Sequence, residues 1–165
     1  GYVEAAAAAQ VIVLCVPYAA QLATVEEVRT ALTGKILIDT TVPLMPPKVA
    51  RVQLPAGGSA VAAVQALLGE SVHVVSAFQN VAAHLLQELD HVLDCDVLVC
   101  GDHVPARETT IQLAADIGLR GIHAGSIVNS AASEALTSVL IAINSRYKVP
   151  GGAGVRITGL KTEAK

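Results

Sequence analysis

The sequence predicts an α/β protein: a partial Rossmann-like parallel sheet with helices on both faces, followed by a small, mostly helical C-terminal part. Two observations carry this expectation. Short β-branched runs alternate with stretches of helical periodicity from Val11 to Ala124, the pattern of βαβ crossovers and hence of a parallel sheet. After Gly125 the alternation stops and a single long, mostly apolar helix takes over. Residues 1–125 are therefore expected to form the sheet-bearing unit and 126–165 a helical dimerisation or closing segment.

Glu4 to Gln10 reads as the tail of a helix or its link. The apolar run from Val11 to Val16, closed by Pro17, has the character of a strand covered on both faces. Tyr18 to Leu32 reads as a helix with Leu22, Val25, Val28, Ala31 and Leu32 on its inner side and Glu26, Glu27 and Arg29 outside. Gly34 ends it, and Ile36 to Asp39 is the next strand. Four prolines between Thr41 and Pro55 bar regular structure throughout that stretch. Ser59 to Leu68 returns as a helix.

The stretch from Val72 to Leu89 is the centre of the reading. Val72, Val74 and Val75 form a strand, and Asn80 is placed to cap a helix opening at Val81. Such a handover puts Phe78, Gln79, Asn80, Val81 and Ala83 at the lip of a sheet, where open α/β folds bind ligands. Val16–Pro17 and the segment after Thr41 leave strands on the same lip. Asp96 to Gly101 is a further strand, Pro105 to Ile117 a helix with proline in its first turn, and Leu119 to Ala124 a short strand. Ser126 to Tyr147 is the long helix, and Val155 to Thr158 is a candidate last strand before a polar tail.

Composition excludes several functions. With a net charge of −3 and 2% aromatic residues, the chain has neither a phosphate clamp nor a stacking platform for nucleic acid. Cys15, Cys95 and Cys100 show no C-x-x-C spacing, which suits reduced thiols of a cytoplasmic protein. The histidines at 73, 84, 91, 103 and 123 make no metal-ligand pattern. Asp94, Asp96 and Asp102 surround a strand, where aspartates are ordinary turn residues, so no metal is expected. Polar residues from Asn129 to Ser138 interrupt the long helix, against a membrane span. Ser59, Ser76 and Ser126 lie outside any G-x-S-x-G elbow, which disfavours a hydrolase. Pro17 and Pro43 serve equally well as strand stops or as walls of a site. His84 reads as a packed or surface histidine. Glu134 is the odd residue on the apolar helix, and Arg146, Lys148 or a second subunit are its candidate partners.

No G-x-G-x-x-G turn follows the first strand, which ends in Cys15-Val16-Pro17-Tyr18. Either the chain binds no dinucleotide, or it is the later part of an enzyme whose Gly-rich turn precedes Gly1.

The ordered set QVIVLCVPYAAQ, GKILIDTTVPLMPP, VVSAFQNVAAHLLQ, DCDVLVCGD, AGSIVNSAASEALTSVLIAIN and GGAGVRITGL resembles the NADPH-dependent reductases of the deazaflavin coenzyme F420. The resemblance runs from about Glu4 to Leu160. It implies an oxidoreductase in which a hydride passes directly between nicotinamide C4 and deazaflavin C5, with no catalytic acid or base and no metal. It also implies NADP and coenzyme F420 as cofactors and a homodimer. Carried over residue by residue, Val16 and Pro17 lie beside the nicotinamide, with Ala20 on the following helical turn. Val42 forms a wall after the second strand. Gln79, Asn80 and Val81 form the deazaflavin-side loop, Ala83 lies near the reacting rings, and Ala153 belongs to a C-terminal loop closing over the site. Some relatives carry His-Thr-Ile-Pro where this chain has Gln79-Asn80-Val81-Ala82. An amide at 79 hydrogen-bonds a ring carbonyl but carries no proton. Two other readings stay open: a related NADP-dependent reductase of another small substrate, which would want a proton donor or metal carboxylates, and a non-catalytic Rossmann-like dimerisation or binding module.

Overall fold

The computed structural model describes residues 1–87 and 94–160. Ten regular elements follow one another: α1 (Tyr2–Ala8), β1 (Val11–Leu14), α2 (Tyr18–Val28), β2 (Ile36–Asp39), α3 (Ala60–Leu68), β3 (His73–Ser76), β4 (Asp96–Val99), α4 (Val104–Asp116), β5 (Arg120–His123) and α5 (Ser130–Tyr147). Strands β1, β2 and β3 pair in parallel in that order, with Val11 opposite Ile36 and Ile36 opposite His73. Strands β4 and β5 form a second parallel pair, joined to the first sheet by an isolated antiparallel bridge between Ser76 and Cys100. The alternation of helix and strand thus yields the expected α/β architecture, but in two short sheets rather than one.

Strand periodicity sorts the core into two layers. Leu37 and Val74 face one way and pack with Val25, Val28, Val61 and Val64 of α2 and α3. Ile38 and Val75 face the other way and pack with Ala106 and Ala114 of α4. Helices therefore cover both faces. Gly121 of β5 is pressed against α4: a Cβ there would stand 2.9 Å from the Ile111 backbone. Only a residue without a side chain allows that approach.

Several local expectations are overturned. β1 is an edge strand of its sheet, and Val13 is 44% exposed rather than covered on both faces. Along α2, Leu22 is exposed while Gln21 is buried, because Gln21 has a buried hydrogen-bond partner in Asp39 that outweighs its polarity. The helix expected from Val81 onward is absent over the described part: turns at 79–80 and 83–84 flank an irregular 81–82, and a single 3-10 turn covers Leu85–Gln87. The remainder of that expected helix, His91 and the polar tail after Leu160 lie outside the described residues. Asn80 does not cap. Its buried side chain instead donates from Nδ2 to the Ser133 carbonyl at 2.8 Å and to Thr137 Oγ1 at 3.1 Å, on α5. The segment at Val155–Thr158 is extended but not a strand. It meets β4 through Asp96, whose N–H donates to the Val155 carbonyl and whose carboxylate accepts the Ile157 N–H. That carboxylate also takes Arg120 in a two-point pair, both contacts at 2.7 Å. The Arg120 hydrogen bonds hold Asp96 below the usual carboxylate range, so it serves as an anchor for the C-terminal segment.

The buried positions of α5 are mostly polar: Ser130, Ser133, Glu134 and Ser138 are buried beside Leu140, whereas Val139 is 43% exposed and Tyr147 lies open. By length and composition Ile127–Tyr147 would suffice to cross a membrane, but here its polar stripe is packed into the fold. Glu134 pairs with neither Arg146 nor Lys148. It reaches α3 instead.

Candidate functional site

The strand ends of β1, β2 and β3 open into a groove of about 610 Å³. From the β1 end, Cys15, Val16 and Pro17 form one wall, and the Pro17 carbonyl accepts the Ala20 N–H, turning the chain directly into α2. From the β2 end, Thr41 and Val42 form a second wall. Thr40 fastens these two exits together, donating both its N–H and its hydroxyl to the Leu14 carbonyl at 3.2 and 3.0 Å. From the β3 end, Phe78, Gln79, Val81 and Ala83 form the third.

Phe78, the sole phenylalanine, has φ = 70°, in the left-handed region that side chains avoid. A non-glycine residue held there at a ligand lip is strain retained by its surroundings. The loop is fixed on its far side, where Thr137 Oγ1 donates to the Gln79 carbonyl at 2.8 Å. Gln79 itself is buried, with Nε2 donating to the Asp39 carbonyl at 2.8 Å and Oε1 without a hydrogen-bond partner.

Of the nine sequence-predicted site residues, Val16, Pro17, Val42, Gln79, Val81 and Ala83 line this groove. The other three do not. Ala20 is half-buried within α2, and Asn80 is committed to α5. Ala153 lies in the glycine turn, its N–H donating to Asn144 Oδ1. That turn does lean on the site loop, since a Cβ on Gly152 would stand 3.2 Å from the Ala82 Cβ. Sequence reasoning missed Leu113 of α4 and Ile117 just after it, which reach the groove from that side. Only tertiary packing brings them there, so no local signal could have found them. Cys15 and Thr41 were legible in principle, being the next residues along strands already assigned to this lip.

Chemically the walls are mostly apolar, aliphatic apart from Tyr18 and Phe78, and suited to flat rings. Among the described residues no group of three or more histidine, cysteine or acidic side chains could hold a metal ion. A second hollow, of about 460 Å³, lies at the free edge of β1 beneath α1 and α2. It is lined mainly by alanine, valine, isoleucine and leucine, with little to orient a ligand.

Comparison with known proteins bears on this geometry. Residues 1–43 match the family model described as NADP oxidoreductase, coenzyme F420-dependent. The chain is 41% identical over 162 residues to the F420-dependent NADP reductase of Methanocaldococcus jannaschii, covering 96% of this chain and 72% of that protein. With the F420-dependent NADP reductase of Methanothermobacter thermautotrophicus the identity is 39%, covering 95% and 69%. A crystal structure from Arthrobacter sp. FB24, provisionally described as an F420-dependent NADP-reductase, superposes with a TM-score of 0.82 at 23% identity, over 96% of this chain and 73% of that one. That likeness shows the fold. The sequence relatives show more: the chain belongs to the F420-dependent NADP reductase family.

Proposed function

We propose that the groove at the β1–β3 strand ends is where a nicotinamide ring and a deazaflavin ring meet, and that the protein exchanges a hydride between NADP(H) and coenzyme F420. The observation that carries this reading is the composition of the groove wall. Val16, Pro17, Val42, Val81 and Ala83 offer small apolar surface for flat rings, while Gln79 Oε1 is a buried acceptor without a partner. A ring N–H or a carboxamide would satisfy it. Direct hydride transfer asks the protein for close, dry, oriented stacking and not for an acid or base, which is what this wall supplies.

The remaining expectations are part of the same reading. The protein acts in the cytoplasm as a homodimer, with residues 126–165 as the pairing and closing segment. Support for pairing comes from α5, whose buried positions are mostly polar and whose Val139 is left open. The Gly152 contact with Ala82 supports a C-terminal turn that closes on the site.

The test is anaerobic incubation of the full-length protein with NADPH and oxidised F420. Loss of the deazaflavin absorbance in step with NADPH consumption is expected. No transfer in either direction would reject the reading.

A further inference from the structure

Three separate strand ends build the groove, and one residue behind its wall ties them together. Asp39, the last residue of β2, is completely buried. Its Oδ2 accepts a hydrogen bond from Gln21 Nε2 at 2.6 Å, on the helix that follows the β1 exit. Its Oδ1 accepts the Thr41 N–H at 2.9 Å, bending the β2 exit back toward the strand. Its main-chain carbonyl accepts Gln79 Nε2 at 2.8 Å, from the β3 exit. Thr41 and Gln79 are on the groove wall. A carboxyl group in an apolar interior is costly, and leucine or valine would fill the same space without that cost. What an apolar side chain could not do is hold two exits through its two oxygens.

We propose that Asp39 is a positioning residue for hydride transfer, setting the spacing of the Val16–Pro17, Val42 and Gln79–Val81 walls and so the separation of the two rings. This inference rests on the reading of the groove as the reductase site. Asp39 touches neither substrate. Its side chain acts through Gln21 and Thr41, while its main-chain carbonyl holds Gln79 in every variant, on a reaction where displacement of about 1 Å costs about 100-fold in rate. Burial pushes its carboxyl group upward, against the pull of hydrogen bonds from Thr41 and Gln21. A neutral side chain of the same shape is therefore compatible with this environment. In D39N the side-chain carbonyl still accepts the Thr41 N–H, and the new amide N–H faces Gln21, whose unpartnered Oε1 receives it once the Gln21 amide flips.

The experiment compares D39A, D39N and Q21L with the wild type in the full-length protein, by steady-state kinetics and thermal melting. D39A is expected to lose about 100-fold in kcat, with each KM moving less than about threefold, because the change is in ring alignment rather than overall binding. D39N is expected to recover kcat to within about tenfold of wild type. Q21L, with one arm cut, should fall between. Wild-type kcat in D39A, a D39N as slow as D39A, or losses that follow only the unfolded fraction would each overturn the proposal. Should D39A not fold, an unchanged kcat in Q21L overturns it. Should the wild type itself transfer no hydride, the site reading falls separately. Asp39 is then judged by amide exchange at Thr41 and Val42, expected to accelerate in Q21L; unchanged exchange overturns the positioning role.

Discussion

Glu134 on α5 and Ser59 before α3 stand 2.6 Å apart, carboxylate to hydroxyl, in the buried seam between these two helices. Glu134 also accepts the Ala60 N–H at 2.8 Å and the Val61 N–H at 3.2 Å. Ser59 in turn caps its own helix by accepting the Ala62 N–H, and shares a hydrogen bond with Ser130. Two of the unpaired N–H groups that open a helix are thus satisfied from 74 and 73 residues away in sequence. E134A is expected to cost about 3 kcal/mol of folding stability, since it strands several buried donors at once.

The same carboxyl group sets a pH dependence. Burial pushes Glu134 above the ordinary carboxylate range, opposed by the hydrogen bonds from Ser59, Ala60 and Val61. With the folded value raised, its stabilising contribution is fully present below the unfolded value of about 4.3, and is lost as pH rises through the folded one. E134Q removes the titration and keeps one acceptor oxygen for the Ala60 N–H, while its amide NH2 takes the other position, donating to Ser59 and leaving the Val61 N–H without an acceptor. Urea melts from acid to neutral pH should show wild-type stability falling relative to E134Q as the pH rises, and parallel curves for the two proteins would reject the titration.

Phe78 supplies a test of backbone strain. At φ = 70°, alanine keeps the steric penalty of the left-handed region and glycine does not. F78G is therefore expected to be more stable than F78A by about 1 kcal/mol, reversing the usual order of the two residues. Chemical denaturation of both variants checks this. Equal stabilities would mean that the turn relaxes when the ring is removed.

Ala83 is exposed on the groove wall. A83W should fill the space for the rings and lower kcat/KM by about 100-fold or more, with a melting temperature close to wild type. Unchanged turnover would move the reacting rings elsewhere.

Val139 lies on the open side of α5. If two copies pair there, V139D places a charge in an apolar interface and should shift the full-length protein toward monomer in sedimentation velocity. A wild type already monomeric at micromolar concentration would remove the pairing.

The legible part of the fold was local. Val74 and Val75, Ile36–Asp39 and the helix opening at Pro105 each carry their own period or cap, and all formed as read. Failures came where a distant partner outweighed a local preference. Asn80 is a good helix cap in isolation, but Ser133 and Thr137 offered its amide buried partners, and no α-helix opens at Val81 among the described residues. Gln21 belonged outside by polarity and went inside because Asp39 is there. At the site, residues next to strand ends were readable from strand direction alone, whereas Leu113 and Ile117 depend on how α4 lies across the sheet.

The bridge between Ser76 and Cys100 gives the molecule a seam. Walls of the groove from β1, β2 and β3 belong to one side of it, and Leu113 and Ile117, carried by the helix between β4 and β5, belong to the other. A molecule filling the groove therefore spans two sheets that share a single rung, and acts as a brace between them. Occupancy should then be felt as stiffness along the Ser76–Cys100 line, well behind the place where the chemistry is done.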